Sequence, residues 1–211
     1  MLPGLTPIFT CHYFDFEGHG GQPLPARFGI EHFASQVASY LRQHGPMPVL
    51  GYSMGGYVAA YASIALGAPI TRLVTLGTKW AWTPEAAGRE AGQLNPDFWL
   101  QKAAAFAQAL QTLHGAKYWR PLVAQTAQMM LAMGKQPPLG PVHYAKLNIP
   151  LTLLLGQADR MVTLEETTAV AHYAPQAQVR VLPNTPHPLE KVEAGLLVTA
   201  IKESLPDEGS S

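Results

Sequence analysis

The chain has 211 residues, with 14 Lys plus Arg set against 14 Asp plus Glu, so its formal net charge is zero. That balance speaks against a nucleic-acid binder or a polybasic membrane-surface protein, and the length suits one large domain or one domain carrying an insertion. Charged residues make up 13% of the chain and apolar residues 47%, against roughly 25% charged in an average soluble sequence, which marks a globular chain with an apolar bias. One Cys excludes a disulfide framework or a four-Cys zinc site within the chain and fits a reducing compartment. No basic segment precedes an apolar run at the start, and no apolar stretch approaches the ~20 residues that span a bilayer. A cytoplasmic location is therefore expected, without a membrane.

In chain order, residues 9–16 read as a short buried strand, apolar and aromatic, ending in the turn-rich Glu17-Gly18-His19-Gly20-Gly21. Ile30, Phe33, Ala34, Val37, Ala38 and Leu41 recur at spacings of three and four, an amphipathic helix stopped by Gly45-Pro46. A strand over 47–52 follows, then a helix over 54–66 with Gly67 as its C-terminal glycine, then a strand over 72–76. This alternation predicts a mostly parallel sheet with helices on both faces.

Between 78 and 139 the pattern turns helical. Asn95-Pro96-Asp97 starts one helix, which runs to His114-Gly115, and a second spans about 121–133 before Gly134. The alternation then resumes with a strand over 151–155, a helix over 164–173, a strand over 179–182 and a closing helix over 192–205. The expected organisation is an α/β core, 1–77 and 140–211, interrupted by a helical insertion at 78–139.

The strongest chemical signal is Gly51-Tyr52-Ser53-Met54-Gly55-Gly56 between a strand and a helix. A serine on such a tight turn needs small neighbours, which explains a G-x-S-x-G spacing, and the helix start offers the Met54 N–H to a developing oxyanion. The plainer alternative is a glycine-rich helix start with a capping serine. A serine nucleophile needs a base, and the base an acid to hold its tautomer. Of the four aspartates, Asp15 precedes the serine, Asp97 opens an insertion helix and Asp207 lies in a polar tail. Asp159 directly follows a strand, where a loop at the C-terminal edge of a parallel sheet places catalytic groups; otherwise it is an ordinary turn aspartate. Of the eight histidines, only His187 follows the last strand, between Pro186 and Pro188. Alone it would read as a solvated loop residue. His12 and His19 are rivals upstream of the serine.

No metal is expected, since no His or Cys pair has ligand spacing. No cofactor is expected either, for want of a Walker-type loop or a G-x-G-x-x-G after a strand. Met129, Met130 and Met133 could line an acyl pocket or simply pack.

As a set these motifs resemble the α/β-hydrolase fold family, of the lidded, esterase-like kind. Asp15-Phe16-Glu17-Gly18-His19-Gly20 is similar to its D-x-x-G-H-G turn, residues 51–56 to its nucleophile elbow, 153–162 to its acid loop, and His187 with Glu190 to its histidine loop. The resemblance implies Ser53 as nucleophile, His187 as general base, Asp159 as orienting acid and Met54 N–H as an oxyanion donor. Some relatives carry the acid after the strand that here ends in Leu76-Gly77-Thr78, where no carboxylate stands. The family also begins with three strands and a His-Gly loop that supplies a second oxyanion N–H; residues 1–5 resemble only the end of the helix after that third strand. An N-terminally shortened hydrolase is therefore expected, with residues 9–16 pairing directly with 47–52.

These readings point to hydrolysis of a carboxylic ester or thioester of a small apolar substrate through an acyl-enzyme. Tyr52, Trp80, Trp82, Phe98 and Trp99 are candidates for the substrate pocket. Carbon–carbon bond hydrolysis on the same triad is one alternative; a non-catalytic binding protein or inactive shortened form is another. A small molecule is the expected partner. The substrate's identity and the oligomeric state are not encoded in any single motif.

Overall fold

The computed structural model describes residues 2–205. In chain order the elements are α1 (Leu2–Leu5), α2 (Ile30–His44), β1 (Met47–Tyr52), α3 (Met54–Leu66), β2 (Ile70–Leu76), α4 (Pro84–Gly92), α5 (Pro96–Lys102), α6 (Ala104–His114), α7 (Trp119–Lys135), α8 (Pro141–Tyr144), β3 (Leu151–Gly156), α9 (Leu164–Tyr173), β4 (Ala177–Leu182) and α10 (Ala194–Ser204).

The four strands form one parallel sheet in the order β1-β2-β3-β4. Tyr52 is level with Leu76, Leu76 with Leu154, and Gly156 with Leu182. This register brings the C-terminal ends of all four strands to one edge, so the loops that leave them share a site. A parallel sheet covered by helices needs strands apolar on both sides, and β3, Leu-Thr-Leu-Leu-Leu-Gly, is buried at every position. Val74, Leu76, Leu154 and Leu182 pack with Leu5, Leu197, Ala200 and Ile201 in one core cluster. Leu73 and Leu153, alternating with them along β2 and β3, are also fully buried.

The chain divides into two compact units. The first comprises Met1–Tyr13, Val37–Trp80 and Leu139–Ser211, and holds the sheet; the second comprises Phe14–Gln36 and Ala81–Pro138. Within the second, α4 packs along α7, and Gly134 lies so close to Ala87 and Thr83 that a side chain there would overlap them. Ala107, Trp119 and Val123 form a small core with Leu94, Trp99 and Leu110 around them.

Several expectations need correction. Residues 9–16 form no strand, and β1 has β2 as its only ladder partner among the described residues. An apolar run becomes a strand only where a neighbouring strand takes up its backbone N–H and C=O groups. Here Phe9 and Cys11 lean onto the core cluster, while residues 12–15 face water, Tyr13 being 79% exposed. The helix expected over 96–114 is two helices, broken at Ala103, whose φ of −145° leaves the helical region. Helix α4 is additional, started by Thr83 accepting from the Ala86 N–H and by Pro84 at its first position. Asp207 lies outside the described residues.

Candidate active site

Ser53 stands between the end of β1 and the start of α3 with φ 51° and ψ −119°, a region that costs a non-glycine residue strain. Neighbouring backbone holds it there: the Ser53 N–H donates to Leu76 O at 2.8 Å, and the Gly56 N–H donates to Ser53 O at 3.2 Å. A Cβ on Gly51 would overlap the backbone of Gly55 and Gly56, and one on Gly56 would overlap Thr78 Oγ1. At Gly55 nothing lies within 4 Å of that position. The close approach that demands a bare backbone after the serine therefore belongs to Gly56, one position beyond the G-x-S-x-G spacing.

The serine side chain makes no capping hydrogen bond to its own helix, which removes the capping-serine alternative. Ser53 Oγ lies 3.2 Å from His187 Nε2. On the other side of the ring, His187 Nδ1 is 2.8 Å from Asp159 Oδ2. Asp159 Oδ1 is occupied by the N–H groups of Met161 and Val162, at 2.8 and 2.9 Å. Burial alone would raise the Asp159 carboxyl, but the His187 hydrogen bond and these two amides outweigh it and hold its pKa below the ordinary carboxylate value. An ionised carboxylate only accepts, so Nδ1 carries the ring proton and the Nε2 lone pair faces the serine hydroxyl.

Four contacts tie the surrounding loops together. The Ala158 N–H donates to Thr185 O at 3.0 Å, latching the acid loop to the histidine loop; Gly156 permits this, since a Cβ there would overlap the Thr185 carbonyl. The Tyr52 hydroxyl donates to His187 O at 3.0 Å, and burial raises its pKa. Gly77, at φ +57°, lies under the Asp159–His187 hydrogen bond, where a Cβ would sit 3.2 Å from Asp159 Oδ2. Lys79 Nζ donates to Met161 O at 3.2 Å.

Ser53, Asp159, His187, Tyr52 and the Met54 N–H thus come together in the first unit. Of the other pocket candidates, Trp80 alone shares that unit. Trp80 is 4% exposed and packs against Tyr57 and Tyr144, so its ring is part of the core, not the wall of an open pocket. Tyr52 braces the histidine loop. Trp82, Phe98 and Trp99 belong to the second unit, where Trp99 packs edge-on against Phe106 and Phe98 is exposed. Met129 and Met133 are buried within that unit. Of the rival histidines, His12 bonds the Tyr40 hydroxyl and His19 packs among Phe16, Phe28 and Phe33. Sequence reasoning missed Gly77, Thr78, Thr185 and the Lys79–Glu166 pair. Only Gly77 carried a local signal, a glycine directly after a strand.

Among the described residues, no group of three or more His, Cys, Asp or Glu side chains is placed to hold a metal ion. No helix among them is long and apolar enough to cross a membrane.

The chain as a whole is similar to known proteins. A pimeloyl-acyl-carrier protein methyl ester esterase of Photobacterium profundum is 32% identical over 91 residues, 42% of this chain and 34% of that protein. The chain thus matches about a third of the length of that curated relative. Among solved structures, a hydrolase from Pseudomonas aeruginosa PA01 is similar with a TM-score of 0.73 at 19% identity, over 99% of this chain and 83% of that one. A thermophilic esterase from Thermogutta terrifontis has a TM-score of 0.67 at 23% identity, over 90% and 76% of the two chains. At such identities the likeness is one of fold. The family model of the alpha/beta hydrolases matches residues 2–193, and the chain belongs to that family.

Proposed function

We propose that the protein is a serine hydrolase that cleaves a carboxylic ester or thioester of a small apolar substrate through an acyl-enzyme. The observation that carries this reading is the continuous relay from Ser53 Oγ through His187 to Asp159, at 3.2 and 2.8 Å. Ser53 Oγ attacks the substrate carbonyl as its proton passes to His187 Nε2, and Asp159 stabilises the imidazolium that forms. The carbonyl oxygen takes the negative charge and accepts from the Met54 N–H, one of the helix-start amides that have no intrahelical acceptor. His187 then protonates the departing alcohol or thiol, leaving Ser53 acylated. Water, deprotonated by His187, attacks the acyl carbonyl, releases the acid and restores the serine.

The name of the Photobacterium relative, a methyl ester esterase, supports the ester in this reading. In this proposal Trp82, Phe98 and Trp99 of the second unit are the candidates for selecting the acyl group.

A labelled fluorophosphonate tests the proposal. Stoichiometric labelling of the folded protein, abolished by Ser53→Ala, is the expected result; absence of labelling on cooperatively folded protein overturns it. Matched panels of p-nitrophenyl esters, acyl thioesters and a vinylogous diketone then separate ester, thioester and carbon–carbon cleavage.

A further inference from the structure

The residues that leave β2 touch every member of the relay. Leu76 O accepts the Ser53 N–H, Gly77 underlies the Asp159–His187 hydrogen bond, and Thr78 Oγ1 donates to Ser53 O at 3.0 Å. Thr78 is 2% exposed. Its hydroxyl is not needed to fill space, because a valine would occupy nearly the same volume, nor does it cap a helix. Its acceptor is the carbonyl of the strained residue. Gly56, by lacking a side chain, leaves the room in which the Thr78 hydroxyl sits.

The Ser53 carbonyl and the Met54 N–H belong to one peptide unit. That unit is planar and trans, so the two groups point in opposite directions and turn together. A hydrogen bond that pins the carbonyl therefore also aims the N–H. A carbonyl that accepts a hydrogen bond also polarises its own amide, which strengthens the N–H as a donor.

Building on the serine-hydrolase reading above, we propose that Thr78 is a positioning residue for oxyanion stabilisation: its hydroxyl fixes the plane of the Ser53–Met54 peptide and so directs the Met54 N–H at the tetrahedral oxyanion. Without the hydroxyl, the Ser53 carbonyl keeps the Gly56 N–H at 3.2 Å, and the peptide can rock about its flanking torsions.

Thr78→Val and Thr78→Ser, assayed on p-nitrophenyl butyrate, test this. The valine variant is expected to lower kcat by about 10- to 100-fold, below the loss from deleting an oxyanion donor outright, with KM within about twofold. It should weaken a tetrahedral-adduct inhibitor, an alkyl boronic acid, by the same factor as kcat. The serine variant restores the hydroxyl and recovers most of both losses. If the valine variant fails to melt cooperatively, Thr78→Ala replaces it in the same comparison. The proposal is overturned if wild type hydrolyses the ester while the valine or alanine variant matches it in kcat and boronate affinity, or if the serine variant is as impaired as they are. Wild-type protein that neither labels at Ser53 nor hydrolyses any ester overturns the serine-hydrolase reading and this inference with it, a result distinct from the other two.

Discussion

Lys79 and Glu166 meet as an ion pair, Nζ to Oε2 at 3.2 Å, with side chains only 5% and 8% exposed. The lysine also donates to Met161 O, and Glu166 Oε1 accepts the Trp80 N–H at 3.1 Å. Met161 supplies one of the two amides on Asp159 Oδ1. The buried pair therefore ties the segment after β2 to the loop that presents the acid. Removing one partner strands the other charge away from water, so Lys79→Met or Glu166→Gln should each cost about 3–5 kcal/mol. Urea unfolding would show this as a lower midpoint at unchanged slope. A loss below about 1 kcal/mol, the range of exposed pairs, would contradict a bracing role.

Gly77 offers a second test of that segment. At φ +57° an alanine would carry roughly 1–2 kcal/mol of backbone strain. Its Cβ would stand 3.2 Å from Asp159 Oδ2 and 3.3 Å from His187 Nδ1, tighter than ordinary van der Waals contact. The pair would have to give by a few tenths of an ångström. Gly77→Ala is expected to lower kcat about tenfold, a misplacement well short of the 1 Å that can cost 10², with KM unchanged. A change in stability without one in kcat would show that the relay tolerates the methyl group.

The glycines around Ser53 predict a graded response. Gly51→Ala and Gly56→Ala drive a methyl into backbone or into Thr78 and should destabilise by several kcal/mol, as over-packing at unyielding sites does. Gly55→Ala meets nothing within 4 Å and lies in the first turn of α3, so it should be neutral or stabilise by up to about 1 kcal/mol. Thermal melts of the three variants would check the order. Equal losses at all three positions would contradict the packing argument.

The reasons some of this was legible in the sequence and some was not are local. Ser53, Asp159 and His187 each follow a strand, and strand ends are marked by apolar runs that stop at glycine or proline. Parallel-sheet geometry then places such residues at one edge whatever their separation along the chain. Glu166 carries no such mark, and Thr78, although it follows β2 and Gly77, has no residue type that singles it out. Their partners lie 25 and 87 positions away, and an isolated Thr after a strand or Glu near a helix start reads as a loop hydroxyl or a solvated charge. Residues 9–16 misled for the converse reason: aromatic and apolar content signals burial, but strand formation depends on a neighbour outside the segment. Ala103 shows a further limit, because nothing in an alanine-rich stretch announces the φ of −145° that splits α5 from α6.

Asp159 links stability and activity through pH. Its carboxyl titrates below its unfolded value of about 3.9, held there by His187, Val162 and Met161 against the opposing effect of burial. A depressed carboxyl pKa stabilises the folded state above the unfolded pKa, and that stabilisation fades as pH falls through the lower, folded value. Asp159→Asn lacks this linkage. The stability gap between wild type and variant should therefore be constant above about pH 5 and close progressively below about pH 4, as urea titrations at stepped pH would show. A gap independent of pH would mean that the carboxylate's charge contributes nothing. The same variant can present an amide N–H to His187 Nδ1, favouring the tautomer with its proton on Nε2. That tautomer has no lone pair for the serine hydroxyl, so kcat should fall by about 10³–10⁴ while fluorophosphonate labelling slows but still maps to Ser53. Retention of full activity in Asp159→Asn would remove Asp159 from the relay.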